Sequence, residues 1–253
     1  EMLHSAKSGH PGGALSSADI ISVLYFGDIL KVDPNDPYNP ERDLFVLSAG
    51  HYCPVWYSAL ARRGFFPIEE LSSLRKFGSR LLGHPKIKVL PGIENSGGSL
   101  GQGFSIACGY AYAAKKFGNE NQEVYCLLGD GEQNEGQVWE AAMFSSHHNL
   151  SSLCAIIDVN KIQIDGFTNE VMNTEPLDEK YRSFGWNVIR INGNSITEIL
   201  EAFQIFKGEK NKPTAIIADT IAGKGVSFLE GTVKSHGKWI TDEERIIAIK
   251  DLS

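Results

Sequence analysis

The sequence predicts an α/β fold, a doubly wound and mostly parallel sheet with helices on both faces. Five short runs are almost continuously apolar, as strands covered on both faces read. Amphipathic stretches of helical period alternate with them, which is the pattern of βαβ units. Glycines punctuate the ends of the runs, at Gly50, Gly97-Gly98, Gly129, Gly131, Gly166, Gly193, Gly223 and Gly225. The carboxyl ends of the strands in such a sheet are where ligands bind.

In chain order, the first helical stretch is Ser16–Leu30, followed by a strand at Asp43–Ser48. A helix at Gly101–Phe117 leads to a strand at Glu123–Leu128, and a helix at Gln137–Leu150 to a strand at Leu153–Asp158. Strands at Trp186–Asn192 and Thr214–Thr220 flank a helix at Ser195–Phe206, and Thr241–Ile249 reads as the last helix. The basic pairs Arg62-Arg63 and Lys115-Lys116 read as solvated helix faces. No linker, repeat or low-complexity tract interrupts the pattern, so residues 1–253 are expected to form one domain. A chain of 253 residues can bury a core without disulfide or metal staples.

Composition narrows the function classes. The formal net charge of −7 argues against non-specific nucleic-acid binding. No run of 18 or more apolar residues is present, so no membrane span is expected. The four cysteines, Cys53, Cys108, Cys126 and Cys154, form no C-x-x-C pair and read as reduced core residues of a cytoplasmic protein. The opening EMLHSAKSGHPGG has no signal-peptide pattern and lacks an initiator Met, so natural residues are expected to precede it.

The most informative stretch is VYCLLGDGEQNEGQVWEAAMFSSHHNLSSLCAIIDVNKIQIDG. One strand ends at Gly129-Asp130-Gly131 and the next near Asp158, with Asn160 just beyond, one right-handed βαβ unit later. The two strand ends then share one sheet edge, where Asp130 and Asn160 can hold one hard cation through oxygen. Such a pair with open positions suits Mg²⁺, which keeps water and phosphate oxygens around it. Free N–H groups of a helix starting after Gly131 would face the same diphosphate. A Rossmann fingerprint fails at Asn134, where Gly is needed. An EF-hand loop fails at Glu135 and Ala141, and no P-loop occurs. These residues alone leave two readings level: a tight turn, or a metal site.

Seven pieces in order break the tie: KSGHPGG around His10, FVLSAGH around His51, LGHP around His84, GGSLGQG at Gly97–Gly103, GDGEQNEG, DVNKIQIDG, and SHGK around His236. Together they resemble the N-terminal half of a transketolase, and GDG…N resembles the thiamine-diphosphate motif. The resemblance implies thiamine diphosphate and Mg²⁺, or Ca²⁺ or Mn²⁺ in its place, with Asp130, Asn160 and the main-chain carbonyl of Ile162 as metal ligands. It implies that His51, Gly129, Gly131 and His236 contact the cofactor and that Gly98-Ser99-Leu100 meets the aminopyrimidine. His10, His84 and His236 would line the funnel to the reactive carbon and serve catalysis. Neutral imidazoles suit that work, because a ketose hydroxyl must lose a proton when the adjacent C–C bond breaks. Glu135 matches a position at the subunit contact, in a carboxylate network joining active sites, and is expected to act in catalysis from there. Asp158 would support the loop. Lys161, Asp165, Lys224, His4, His147 and His148 read as structural.

Two departures from the family pattern stand out. Tyr52-Cys53 follows His51 where small residues are usual, and Gly12-Gly13-Ala14 replaces bulkier residues. Full-length transketolases continue with a domain that supplies the pyrimidine pocket and its activating Glu, and little chain follows His236 here. The expected protein is therefore the N-terminal subunit of a split transketolase, active with a C-terminal partner subunit in a two-plus-two assembly. It would move a two-carbon ketol unit between sugar phosphates in the cytoplasm. The faces of Gly101–Phe117 and Gln137–Leu150 are candidate partner contacts. A subunit of another thiamine-diphosphate enzyme, of the 2-oxo-acid dehydrogenase or deoxyxylulose-phosphate synthase type, and a non-catalytic regulatory partner remain alternatives.

Overall fold

Alternation along each strand decides which side chains go to which face of the sheet. In β1 (Leu44–Leu47), Phe45 and Leu47 join one buried cluster while Leu44 and Val46 join the other. The computed structural model, which describes residues 1–119 and 121–253, repeats this along every central strand. Before β1 come α1 (Met2–Ala6), α2 (Pro11–Ser16) and α3 (Ala18–Phe26). After it come α4 (Cys53–Arg63), α5 (Gln102–Phe117), β2 (Val124–Gly129), α6 (Gly136–His147) and β3 (Leu153–Val159). A small hairpin of β4 (Ile162–Gln163) and β5 (Gly166–Phe167) precedes α7 (Thr168–Val171) and α8 (Leu177–Ser183). The rest is β6 (Asn187–Asn192), α9 (Ile196–Gly208), β7 (Thr214–Asp219) and α10 (Asp242–Asp251).

The five long strands form one parallel sheet in the order β1-β2-β3-β7-β6. Phe45, Leu47, Tyr125 and Ile216 pack on one face against α3, α4 and α9 through Leu24, Trp56 and Phe203. Val46, Cys126, Ala155 and Ile217 pack on the other against α5, α6 and α8 through Phe104, Val138 and Tyr181. The predicted doubly wound α/β class holds, and each predicted strand is found to within one residue at either end. All four cysteines are buried free thiols. Among the described residues, no helix is long and apolar enough to cross a membrane.

Three local expectations are corrected. The stretch read as one helix over Ser16–Leu30 is two. The first begins at Pro11, whose fixed φ suits a first turn. The helix breaks at Ser17, whose hydroxyl donates back to Gly13 O at 2.6 Å. Such side-chain bonds compete with the helical ladder. No helix starts after Gly131 either: a 3₁₀ turn, Gly131–Asn134, intervenes, and the Gly131 N–H donates to Asp130 Oδ1 at 2.7 Å. Glu135 therefore stands at the N-cap position of α6, without a side-chain cap bond. Of α4, only the helical setting of Arg62-Arg63 was expected.

Candidate active site

Each strand of the first three ends in a segment bearing predicted site residues. Beyond β1 a 3₁₀ turn, Gly50–Tyr52, carries His51. Gly50 permits a close approach: a Cβ there would sit 2.9 Å from Gly98 N and 3.1 Å from Gly97 Cα. The Gly97 N–H donates to Pro85 O at 2.8 Å, which brings the His84 segment alongside. The Lys238 N–H donates to Gly9 O at 3.1 Å and joins the His236 and His10 loops. Arg75 reaches Ser8 Oγ at 2.7 Å behind them.

These ties gather histidines from four separate segments. Ring centroids lie 5.2 Å apart for His10 and His51, 5.7 Å for His10 and His236, and 5.4 Å for His51 and His236. They line a cavity of about 320 Å³ with His84, Gly98, Leu100, Gly129, Asp130, Gly131 and Ile162. Burial holds His10 down to about 4 and His51 to about 3, with the neighbouring histidines adding positive charge around each. Burial lowers His84 and His236 as well. All four are thus neutral at physiological pH, and His10 Nδ1 is buried without a hydrogen-bond partner among the described residues.

Below the histidines is an acidic floor. Asp130 Oδ2 accepts from the Lys161 N–H at 2.7 Å and from Thr168 Oγ1 at 3.2 Å. Asp158, fully buried, accepts from Ser16 Oγ at 2.7 Å, from Asn160 Nδ2 at 2.8 Å and from Thr220 Oγ1. Asn160 Oδ1 accepts from the Ile162 N–H at 3.1 Å. Burial, and after it the charge of Asp158, pushes Asp130 up to about 7.

Ser99 is exposed and outside this cavity, and Asn160 lines an adjoining one of about 490 Å³ that shares Asp130 and Ile162. Glu135 is exposed at the start of α6, outside both cavities. His4 pairs with Asp242 at 2.7 Å and Lys224 with Glu230 at 3.0 Å, as structural readings require. His148 packs on Tyr112 and Phe144. Asp165 reaches the cavity wall.

One residue escaped the sequence reading. Glu132, 2% exposed, accepts from the Gly101 N–H at 2.7 Å, from the Gly129 N–H at 3.0 Å and from Ser48 Oγ. It pins the ends of β1 and β2 and the start of α5 to one carboxylate. The only signal was its place between Gly131 and the next helix, where an acid is ordinary.

The family profile described as "Transketolase, thiamine diphosphate binding domain" matches residues 1–252. The chain belongs to the transketolase family, as its thiamine-diphosphate-binding domain. It is 46% identical over 244 residues to the 6-deoxy-6-sulfo-D-fructose transketolase subunit SqwG of Clostridium sp. (strain MSTE9), covering 96% of this chain and 88% of that one. It is 42% identical over 253 residues to one of the named subunits of the apulose-4-phosphate transketolase of Phocaeicola vulgatus, covering 100% and 89%. The crystal structure of transketolase from Campylobacter jejuni superposes with a TM-score of 0.92 at 37% identity, over 98% of this chain. The chain spans 40% of the length of that structure.

The residues present fit a diphosphate-bound cation. Asp130 and Asn160 offer oxygens at adjacent strand ends, and the Asp130–Asp158 repulsion is relieved by a positive ion. Among the described residues no cluster of three or more His, Cys, Asp or Glu could hold a metal without such help. That is expected where diphosphate and water complete the shell.

Proposed function

We propose that this chain is the N-terminal subunit of a split, thiamine-diphosphate- and Mg²⁺-dependent transketolase. It transfers a two-carbon ketol unit from a ketose phosphate to an aldose phosphate. The observation that carries the reading is the convergence of His10, His51, His84 and His236 over the Asp130–Asn160 strand ends.

Asp130, Asn160 and the Ile162 carbonyl hold the metal, with Gly129 and Gly131 beside the diphosphate and Gly98-Ser99-Leu100 beside the pyrimidine. Thiamine diphosphate, when bound, supplies the electron sink for cleavage and formation of the C–C bond. His51 and His236 orient the cofactor. Neutral, the partly buried His10 and His236 and the more exposed His84 accept hydrogen bonds from substrate hydroxyls and move the proton that leaves as the bond breaks. The unpartnered His10 Nδ1 is free for such a contact.

A partner chain supplies the pyrimidine-binding domain, in an assembly of two plus two. Coverage of 88–89% of relatives named as subunits supports this division. Exposed Ile106, Met143 and Phe144 on α5 and α6 suit a contact with the partner, near Glu135. The pathway is that of pentose phosphates or a related sugar route, and four buried free thiols support a cytoplasmic setting.

The test is reconstitution with a C-terminal transketolase subunit, assayed with a ketose-phosphate donor and an aldose-phosphate acceptor. Transfer is expected from the pair, and robust transfer by this chain alone would sink the split reading. In the pair, His84→Ala and His236→Ala are expected to lower turnover roughly 10²–10⁴-fold with far less effect on thiamine diphosphate affinity. A variant that fails chiefly by losing the cofactor contradicts the assigned roles.

A further inference from the structure

The two departures from the family pattern meet in space. Tyr52 is 4% exposed, its ring lying against α2 beneath the cavity. Gly13 stands on α2 opposite it. A Cβ on Gly13 would overlap the ring at Cε1, Cζ and Cδ1, so any larger residue there excludes this placement. The ring ends in a hydroxyl that accepts from Asn160 Nδ2 at 2.9 Å.

Asn160 is the residue whose amide must face a chosen way. Its nitrogen also donates to Asp158 Oδ2 at 2.8 Å and lies 3.4 Å from Ser16 Oγ. Its oxygen accepts from the Ile162 N–H at 3.1 Å. A carboxylate only accepts and a backbone N–H only donates, so neither end of the amide can be exchanged. Nitrogen points down to Tyr52 and Asp158, and oxygen points toward the 160–162 segment.

We propose that Tyr52 is a positioning residue that holds the Asn160 amide with its oxygen toward the metal, and that Gly13 is the companion that makes room for it. Small residues after the histidine leave that amide nitrogen to other partners, so Gly13 and Tyr52 are expected to be exchangeable only together. The proposal rests on the cofactor reading given above.

The experiment is calorimetric titration of thiamine diphosphate into the reconstituted complex at graded Mg²⁺, with melting temperatures measured alongside. Tyr52→Phe keeps the ring and removes the hydroxyl. It is expected to raise the Mg²⁺ needed for half-maximal cofactor binding roughly 10-fold, the scale seen when a residue orienting a metal ligand is removed. Turnover is expected to return close to the wild-type value at saturating Mg²⁺. Gly13→Ala is expected to shift the Mg²⁺ demand in the same direction and to lower the melting temperature. In a Tyr52→Ala background it is expected to do neither, because the clash is gone. A Tyr52→Phe variant with wild-type Mg²⁺ demand overturns the proposal even if it melts earlier, since the ring then only fills space. A wild-type complex that binds no thiamine diphosphate at any Mg²⁺ concentration overturns the cofactor reading and this proposal with it.

Discussion

The two ends of the same parallel sheet treat buried charge in opposite ways. At the amino end, Asp43 has both oxygens occupied, by the Lys31 N–H at 2.8 Å and the Glu123 N–H at 2.9 Å. Beside it Arg42 clamps Glu94 at 2.8 Å. At the carboxyl end, Asp130, Glu132 and Asp158 are buried together where β2 and β3 end side by side. No ion pair to any of them occurs among the described residues. Four neutral histidines stand above, one with an unpartnered nitrogen. One end is complete without a ligand, while the other concentrates negative charge that a bound divalent cation would offset. Parallel strands make this asymmetry possible, because all their carboxyl ends open on one side.

Substitutions at the two ends should therefore fail differently. The largest effect is expected from Asp130→Ala, which removes the carboxylate proposed to hold the metal. A bound metal contributes several kcal/mol to such a site, so cofactor-dependent turnover should fall on the order of 10³-fold. Calorimetry should show thiamine diphosphate binding lost with it, and affinity independent of Mg²⁺ in the wild type would break the contrast between the two ends. Glu132→Ala should come next. Two buried N–H groups and a hydroxyl lose their charged acceptor, at about 3 kcal/mol of stability, read by urea denaturation. Cofactor affinity should weaken too, because Gly129 and Gly101 flank the site. Unchanged stability would show that water replaces the carboxylate.

The smallest effect concerns the amino end and acts through pH. Burial pushes Asp43 up to about 6, from a reference of 3.8. Between those values the folded chain holds a proton that the unfolded chain has released. Asp43 thus lowers stability fully above about pH 6, and the penalty disappears as pH falls toward 4. Its share of the slope is at most about 1.4 kcal/mol per pH unit. Asp43→Asn should flatten the wild-type decline in stability across that window without changing turnover, and an equal slope in both proteins would refute the assignment.

The strands were legible because a strand covered on both faces needs an unbroken apolar run, which composition displays directly. Helix boundaries were less so. The break at Ser17 comes with its own hydroxyl bonding back to Gly13 O, and periodicity carries no trace of that bond. Arg62-Arg63 marked a helix face, but the bounds of α4 rest on Pro54 in its first turn and Gly64 beyond its last at φ 98°. In the site, the histidines were legible from their glycine-flanked motifs. Glu132 was not, because an acid in a polar stretch looks the same whether it faces solvent or three buried donors. Tyr52 stood out only as a departure, and its link to Gly13 required the fold.

The bond from the Lys238 N–H to Gly9 O joins residues from nearly opposite ends of the described chain. The strand pairing of Leu44 with Val124 is also long-range. Contacts so distant in sequence pay their loop-closure entropy before they are rewarded, and they form late during folding. The histidine funnel is therefore expected to close after the local βαβ units have formed. A cofactor that binds only the finished funnel pulls the whole folding equilibrium by mass action. Its capture is accordingly a signal that the last long-range closure has been made.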